Sequence, residues 1–117
     1  FPLEQWQEWA SPVWMTIQQS NVLNVRLARE QSDERHVCPL QLDVIDRALT
    51  LWSNPGEVIL PPFMGIGSEV YGAVRAGRRA IGIELKASYY AQAVRNIEAA
   101  MQAARADQTL LEGLGDV

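Results

Sequence analysis

A glycine-rich loop at residues 63–68 carries the strongest chemical signal in the chain. It reads Phe63-Met64-Gly65-Ile66-Gly67-Ser68 and follows the apolar run 58–60. A buried strand that enters a Gly-x-Gly turn at the start of a helix brings free backbone N–H groups and the positive end of the helix dipole to one point. Glycine also lets a ligand approach the backbone closely. The loop therefore predicts a site for an anionic or nucleotide-like ligand, and we expect a branched side chain at Gly67 to enter the space of that ligand.

A carboxylate at the end of a second apolar segment adds to the prediction of a ligand site. The segment reads Ala80-Ile81-Gly82-Ile83-Glu84-Leu85 and predicts a strand over residues 80–85. A carboxylate at the end of such a strand can accept hydrogen bonds from ribose hydroxyls. The loop and Glu84 together predict a site for a nucleoside-containing cofactor.

The composition is that of one small folded domain, with 117 residues, 48% hydrophobic and 21% charged. No apolar run approaches the roughly 20 residues of a membrane-spanning helix, and no leader-like segment begins the chain, so we expect a cytoplasmic protein without a membrane partner. The net charge of −4 argues against a broad DNA-binding face on this chain, because neutralisation of phosphates supplies most non-specific affinity for DNA.

Metal binding is not expected. His36 is the single histidine and Cys38 the single cysteine, whereas a tetrahedral metal site needs four such ligands. Cys38 also has no partner for an internal disulfide, and we interpret it as a small buried thiol rather than a nucleophile.

Hydrophobic periodicity predicts a helix over residues 39–52, with Pro39 in its first turn. Its inward stripe consists of Ile45, Leu49 and Trp52. A Pro-Gly turn over residues 54–56 and a buried strand over 58–60 follow. Trp52, together with Tyr89 and Tyr90, is expected to pack in the core rather than to stack on an adenine ring.

Two further helices complete this pattern. The first starts at Ser68, whose hydroxyl is expected to cap the first N–H groups, and ends near Gly77. The second spans residues 87–106 and buries a stripe formed by Tyr90, Ala93, Val94, Ile97 and Met101. The predicted order is helix, strand, helix, strand, helix, which is typical of an α/β fold with parallel strands and flanking helices.

Three segments organise the chain: an aromatic-rich and polar lead-in over residues 1–35, the α/β unit over 36–106, and a flexible tail over 107–117. The lead-in holds three of the four tryptophans, and we expect it to pack on a folded body. Two strands are fewer than a doubly wound sheet usually has. We therefore expect either a fragment of a longer protein or a domain completed by another chain, with a homo-oligomer as one form of the latter.

Part of the chain resembles the C-terminal part of S-adenosylmethionine-dependent DNA amino-methyltransferases. The resemblance is carried by the loop, by the second strand with Tyr89-Tyr90, and by the upstream run His36-Val37-Cys38-Pro39-Leu40. The resemblance is to the group that methylates adenine N6 or cytosine N4 and places its catalytic motif before its cofactor motif. It covers roughly residues 36–99. Residues 9–15 and 33–36 are similar to phage- or prophage-encoded members.

The resemblance implies a partial Rossmann-like methyltransferase fold and roles for particular residues. Phe63, Gly65 and Gly67 would pass under the methionine portion of the cofactor, Ser68 would meet its carboxylate, and Glu84 would bind its ribose hydroxyls. The full set implied to bind S-adenosylmethionine is His36, Pro39, Phe63, Met64, Gly65, Gly67, Ser68, Glu84 and Leu85.

The sequence departs from the family pattern in two places. Pro61 stands where the family usually has an acidic residue that favours the ammonium of the cofactor. The catalytic Asp/Ser/Asn-Pro-Pro-aromatic tetrad does not occur in the chain, because Leu60-Pro61-Pro62-Phe63 lacks the polar first residue.

Three functions stay open at this point. The first is the cofactor-binding part of a DNA amino-methyltransferase, inactive alone, whose DNA contacts come from a missing N-terminal part. The second is a non-catalytic remnant that acts as an assembly protein. The third is a dinucleotide-binding module, which the sequence disfavours because Val70 stands where the dinucleotide fingerprint has its third glycine.

Overall fold

The computed structural model of the protein describes residues 1–23 and 38–115. The elements in chain order are α1 (Leu3–Trp9), α2 (Leu42–Trp52), β1 (Val58–Ile59), α3 (Ser68–Arg75), β2 (Arg79–Ala80) and α4 (Ala87–Gly115). The predicted order from α2 to α4 is confirmed. The short helix α1 lies in the lead-in, where the sequence shows no sustained period.

The two strands pair in parallel, with Val58 opposite Arg79 and Ile59 opposite Ala80. They are shorter than predicted, although the ladder continues on one side where the N–H of Ile83 donates to the carbonyl of Pro61 at 3.2 Å. The reciprocal bond would need an N–H at position 61, which proline lacks. Pro61 therefore ends the regular sheet, and the chain turns at residues 62–63.

The core lies between the inner face of this sheet and helices α2, α3 and α4. Ile45 and Leu49 of α2 pack against Ala73 of α3, and Gly72 brings these helices close, since a Cβ there would lie 2.6 Å from Cγ2 of Ile45. A second cluster joins α3 to α4 and comprises Met64, Val70 and Ala93. These contacts hold both ends of the 63–68 loop.

Several predicted core residues are exposed instead. Trp52 is 74% exposed, since α2 buries its Ile45–Leu49 stripe and Trp52 lies at the rim beyond it. On α4 the buried line runs through Tyr89, Gln92, Ala93 and Ala100, which turns Tyr90 and Met101 towards solvent. The predicted end of α4 near residue 106 is also wrong, because the helix continues to Gly115.

The described part of the lead-in, residues 1–23, packs on α2 through Arg47 and Asp43, which confirms that it associates with a folded body. The guanidinium carbon of Arg47 lies 5.4 Å and 5.5 Å from the ring centroids of Trp9 and Trp14. Its Nη2 donates to Oγ1 of Thr16 at 2.7 Å and lies 3.7 Å from Oε1 of Glu8. Cation–π contacts of this kind contribute on the order of 0.5–2 kcal/mol each.

Candidate functional site

The glycine loop turns the chain from β1 into α3. Gly65 and Gly67 have φ angles of +54° and +87°, a region that side chains with a Cβ rarely adopt. Helix α3 begins at Ser68 as predicted, but its N-cap is Gly67 and no side chain caps it. The prediction that the Ser68 hydroxyl caps the helix is therefore wrong.

Glu84 is tied to this loop by hydrogen bonds. Its Oε2 accepts the backbone N–H of Gly65 at 2.9 Å, and its Oε1 accepts the N–H of Lys86 at 3.0 Å. The N–H of Gly67 donates to the carbonyl of Met64 at 2.8 Å. Both loop glycines therefore have bonded N–H groups, and the prediction that these groups are free is wrong. Each carboxylate oxygen of Glu84 keeps a further lone pair for a ligand.

Helix α4 supports the loop from behind. A Cβ at Gly67 would lie 3.1 Å from the Cβ and 3.3 Å from the Cα of Ala93. The side-chain amide of Asn96 donates to the carbonyl of Ile66 at 2.9 Å. The Cβ position of Gly67 therefore points at α4, contrary to the expectation that a side chain there enters the ligand space, whereas a Cβ at Gly65 would meet nothing within 4 Å.

One cavity opens beside the loop and has a volume of about 230 Å³. It brings five of the predicted cofactor residues together: Pro39, Phe63, Met64, Gly65 and Ser68. Met64 contributes to its wall from the core, where it is 5% exposed. Cys38 also lines this cavity and is exposed, so the interpretation of Cys38 as a buried thiol is wrong.

A second cavity, of about 250 Å³, lies beyond the end of β2 and is lined by Pro62, Phe63, Ile83, Glu84 and Leu85. Phe63 borders both cavities and is 89% exposed, while Leu85 is 99% exposed. Two adjoining cavities with one shared aromatic ring suit an elongated ligand that has a polar end at the loop and a nucleoside near Glu84. His36 lies outside the described residues.

Two residues near the loop were missed by the sequence reasoning. Glu69 is the one charged side chain among the described residues that line the loop cavity, and its position directly after Ser68 is the signal that could have indicated it. Asn96 contacts the loop from a residue 30 positions further along the chain, and no local pattern in the sequence indicates this contact.

Two absences hold for the described ranges, 1–23 and 38–115. Within them no three His, Cys, Asp or Glu side chains are grouped closely enough to hold a metal ion. Within the same ranges no helix combines the length and the apolar character that crossing a membrane requires.

The parallel strands, the flanking helices and the loop hydrogen-bonded to Glu84 define a partial α/β fold of the Rossmann-like methyltransferase type. TTHA0409 from Thermus thermophilus, solved in complex with S-adenosyl-L-methionine, is similar with a TM-score of 0.64 and 26% identity, over 86% of this chain and 34% of that one. A complex of M1.HpyAVI with S-adenosylmethionine gives a TM-score of 0.51 and 25% identity over 59% and 34% of the two chains.

The sequence profile of the N6/N4 DNA methylases matches residues 2–95, and the chain belongs to this family of DNA methylases. The type II methyltransferase M1.MboII of Moraxella bovis is 38% identical over 58 residues, which are 50% of this chain and 22% of that protein. The DNA adenine methyltransferase YhdJ of Escherichia coli K12 is 32% identical over 82 residues, or 68% and 28%. The chain thus spans between 22% and 28% of the length of these relatives.

Proposed function

We propose that this chain forms the S-adenosylmethionine-binding part of a DNA methyltransferase that methylates adenine N6 or cytosine N4. The observation that carries the proposal is the hydrogen bond of 2.9 Å between the N–H of Gly65 and the carboxylate of Glu84. It joins the loop that would hold the methionine end of the cofactor to the carboxylate that would hold its ribose. When bound, S-adenosylmethionine supplies an electrophilic methyl group on its sulfonium.

The two cavities fit the two ends of this cofactor. At the loop cavity, Ser68 stands at the N-terminus of α3, where the helix dipole favours the carboxylate of the cofactor. At the second cavity, Glu84 can accept hydrogen bonds from ribose hydroxyls, and the exposed ring of Phe63 and side chain of Leu85 offer apolar contact to the nucleoside. We also assign cofactor binding to the remaining predicted residues: His36, Pro39, Met64, Gly65 and Gly67.

Glu69 can supply the negative charge that is missing at Pro61. Pro61 is buried and uncharged, so it gives the ammonium of the cofactor no counter-charge. Glu69 lines the same cavity as Gly65 and Ser68, and a carboxylate there favours a cation. We propose that Glu69 provides the negative charge that the family usually places at position 61.

DNA binding and the transfer step are assigned to other parts of a longer protein. The relatives named above are DNA methyltransferases of about four times the matched length, and the net charge of −4 on this chain does not favour phosphate contacts. We therefore expect no methyl incorporation into DNA by this chain alone. A cytoplasmic location belongs to the same proposal.

The outer face of the sheet supports self-association of the isolated chain. Val58, Leu60, Ile81 and Ile83 on this face are each about half exposed or more, and monomeric proteins rarely leave such contiguous apolar surface open. We expect dimers or larger species in light scattering at high concentration. A monomer of constant mass across the concentration range would contradict this.

Calorimetry with three ligands tests the cofactor assignment. We expect S-adenosylmethionine and S-adenosylhomocysteine to bind and NADH not to bind. Glu84→Gln should weaken S-adenosylhomocysteine binding by about 10- to 100-fold, because hydrogen bonds to a charged group contribute roughly 1.5–3 kcal/mol.

Glu98→Gln is the matched control, since Glu98 is an exposed carboxylate on α4 that lines neither cavity. Its affinity should equal that of the wild-type chain. Binding of NADH without binding of S-adenosylhomocysteine would replace the proposal with the dinucleotide alternative. Equal affinities of the Glu84 and Glu98 variants would remove Glu84 from the site.

A further inference from the structure

We propose that Asn96 is a positioning residue that fixes the conformation of the cofactor loop through the carbonyl of Ile66. Its effect on the loop is independent of the ligand, while its effect on cofactor affinity rests on the proposed function. The side chain of Asn96 lines neither cavity of the candidate site, so it acts on the ligand only through the backbone.

The contact lies at the centre of the loop. Nδ2 of Asn96 donates to the carbonyl oxygen of Ile66 at 2.9 Å, and Ile66 stands between the two glycines with positive φ. Ile66 is 3% exposed, so its carbonyl has little access to water. A buried carbonyl that loses its donor is costly, and the loop without Asn96 would rearrange to find another one.

A chain of hydrogen bonds on α4 orients this amide. Nε and Nη2 of Arg95 donate to Oε1 of Gln92 at 3.1 Å and 2.7 Å. Nε2 of Gln92 then donates to Oδ1 of Asn96 at 3.0 Å. Because the oxygen of Asn96 accepts from Gln92, its amide nitrogen is the atom directed at Ile66. The positive charge of Arg95 polarises this series of hydrogen bonds and strengthens the donation from Asn96 to Ile66.

Two side chains thus hold the loop from opposite sides. Glu84 accepts from the N–H of Gly65 on the side of the cavities, and Asn96 donates to Ile66 on the side of α4. Gly67 rests on Ala93, one turn before Asn96 on the same helix face. Glu84 is placed to touch the cofactor, whereas Asn96 sets where the backbone of the loop stands when the cofactor arrives.

Asn96→Asp gives a test that separates donation from packing. An ionised aspartate can only accept, whereas a protonated one can donate to Ile66 again. The carbonyl of Ile66 and burial raise the pKa of such a carboxyl, whereas the Gln92 amide that donates to the other side-chain oxygen lowers it. In the ligand-free chain at about pH 7.5, we expect the amide protons of Gly65 and Gly67 to exchange about tenfold faster than in the wild type, as loss of one hydrogen bond predicts. Near pH 4.5 the ratio should return towards one.

Asn96→Leu and Gln102→Glu complete the series. Asn96→Leu cannot donate at any pH, so its faster exchange should persist near pH 4.5. Gln102→Glu introduces a carboxylate at an exposed position of the same helix and should leave the two glycine amides unchanged. If the exchange ratio of Asn96→Asp does not depend on pH, or if it equals one throughout, the proposal is overturned.

Affinity for S-adenosylhomocysteine supplies the second readout. We expect the same pH-dependent ratio in the dissociation constant of Asn96→Asp relative to wild type. If the wild-type chain binds no S-adenosylhomocysteine while the exchange ratios behave as expected, the proposed function fails and the role of Asn96 in the loop is retained. If the wild type binds and both Asn96 variants bind equally well, Asn96 does not position the cofactor site.

Discussion

The two glycines of the cofactor loop lie two residues apart and meet different surroundings. A Cβ at Gly65 would enter open space beside the loop cavity, whereas a Cβ at Gly67 would lie 3.1 Å from the Cβ of Ala93. Both have positive φ, so both positions favour glycine for the backbone alone. The difference shows that one Gly-x-Gly motif meets two requirements: Gly65 leaves the loop cavity open, and Gly67 allows α4 to pack on the loop.

The largest expected effect is on stability. Gly67→Ala should lower the free energy of unfolding by about 2–4 kcal/mol, because left-handed strain and a tight contact with the backbone of Ala93 add together. Gly65→Ala carries the strain without the contact and should cost about 1 kcal/mol. Urea denaturation followed by tryptophan fluorescence measures both. Equal losses in the two variants would contradict the difference in surroundings.

The next effect is on ligand binding at Gly65. Asparagine tolerates left-handed backbone, so Gly65→Asn should keep the fold while its side chain occupies the cavity, and S-adenosylhomocysteine affinity should fall at least about tenfold, or about 1.4 kcal/mol. Gly56→Asn is the matched control, since Gly56 also has positive φ and open space at its Cβ but lies in the turn before β1. A similar affinity in both variants would show that the ligand does not pass Gly65.

A smaller effect is expected at Glu69 in the same cavity. Glu69→Gln should weaken the affinity for S-adenosylhomocysteine by about two- to fivefold, as for a partly exposed ion pair. The affinity for 5′-methylthioadenosine should stay unchanged, because that ligand has no ammonium group. Titration calorimetry of both ligands gives the comparison. An equal loss for both would show that Glu69 does not act through the ammonium.

The smallest effect concerns α2, away from both cavities. The backbone N–H of Gln18 and the side-chain amide of Asn21 donate to Asp43 and hold its pKa below the ordinary value of 3.8. A lowered folded-state pKa stabilises the fold above the unfolded-state pKa, and this contribution is lost as the pH falls through the folded-state pKa. Wild type should therefore lose more stability than Asp43→Asn between about pH 6 and pH 3. Cofactor affinity at neutral pH should be the same in both.

The sequence determined the order of elements from α2 to α4 and identified the glycine loop and the carboxylate of Glu84. Proline and glycine act on the chain locally, and apolar periodicity indicates a helix over a short window, so α2, α3 and the position of Glu84 followed from patterns within a few residues. The start of α3 at Ser68 was predicted for the same reason. Family membership also followed from residues in order along the chain.

The tertiary structure alone decided how these parts meet. The sequence does not state that α4 buries Tyr89 rather than Tyr90, because one residue turns a helix by about 100° and both stripes contain Ala93. Nor does it show that Gly67 packs on Ala93, that Glu84 accepts the N–H of Gly65, or that Asn96 reaches Ile66. These contacts join residues far apart in the chain, and their formation depends on how the helices pack on the sheet.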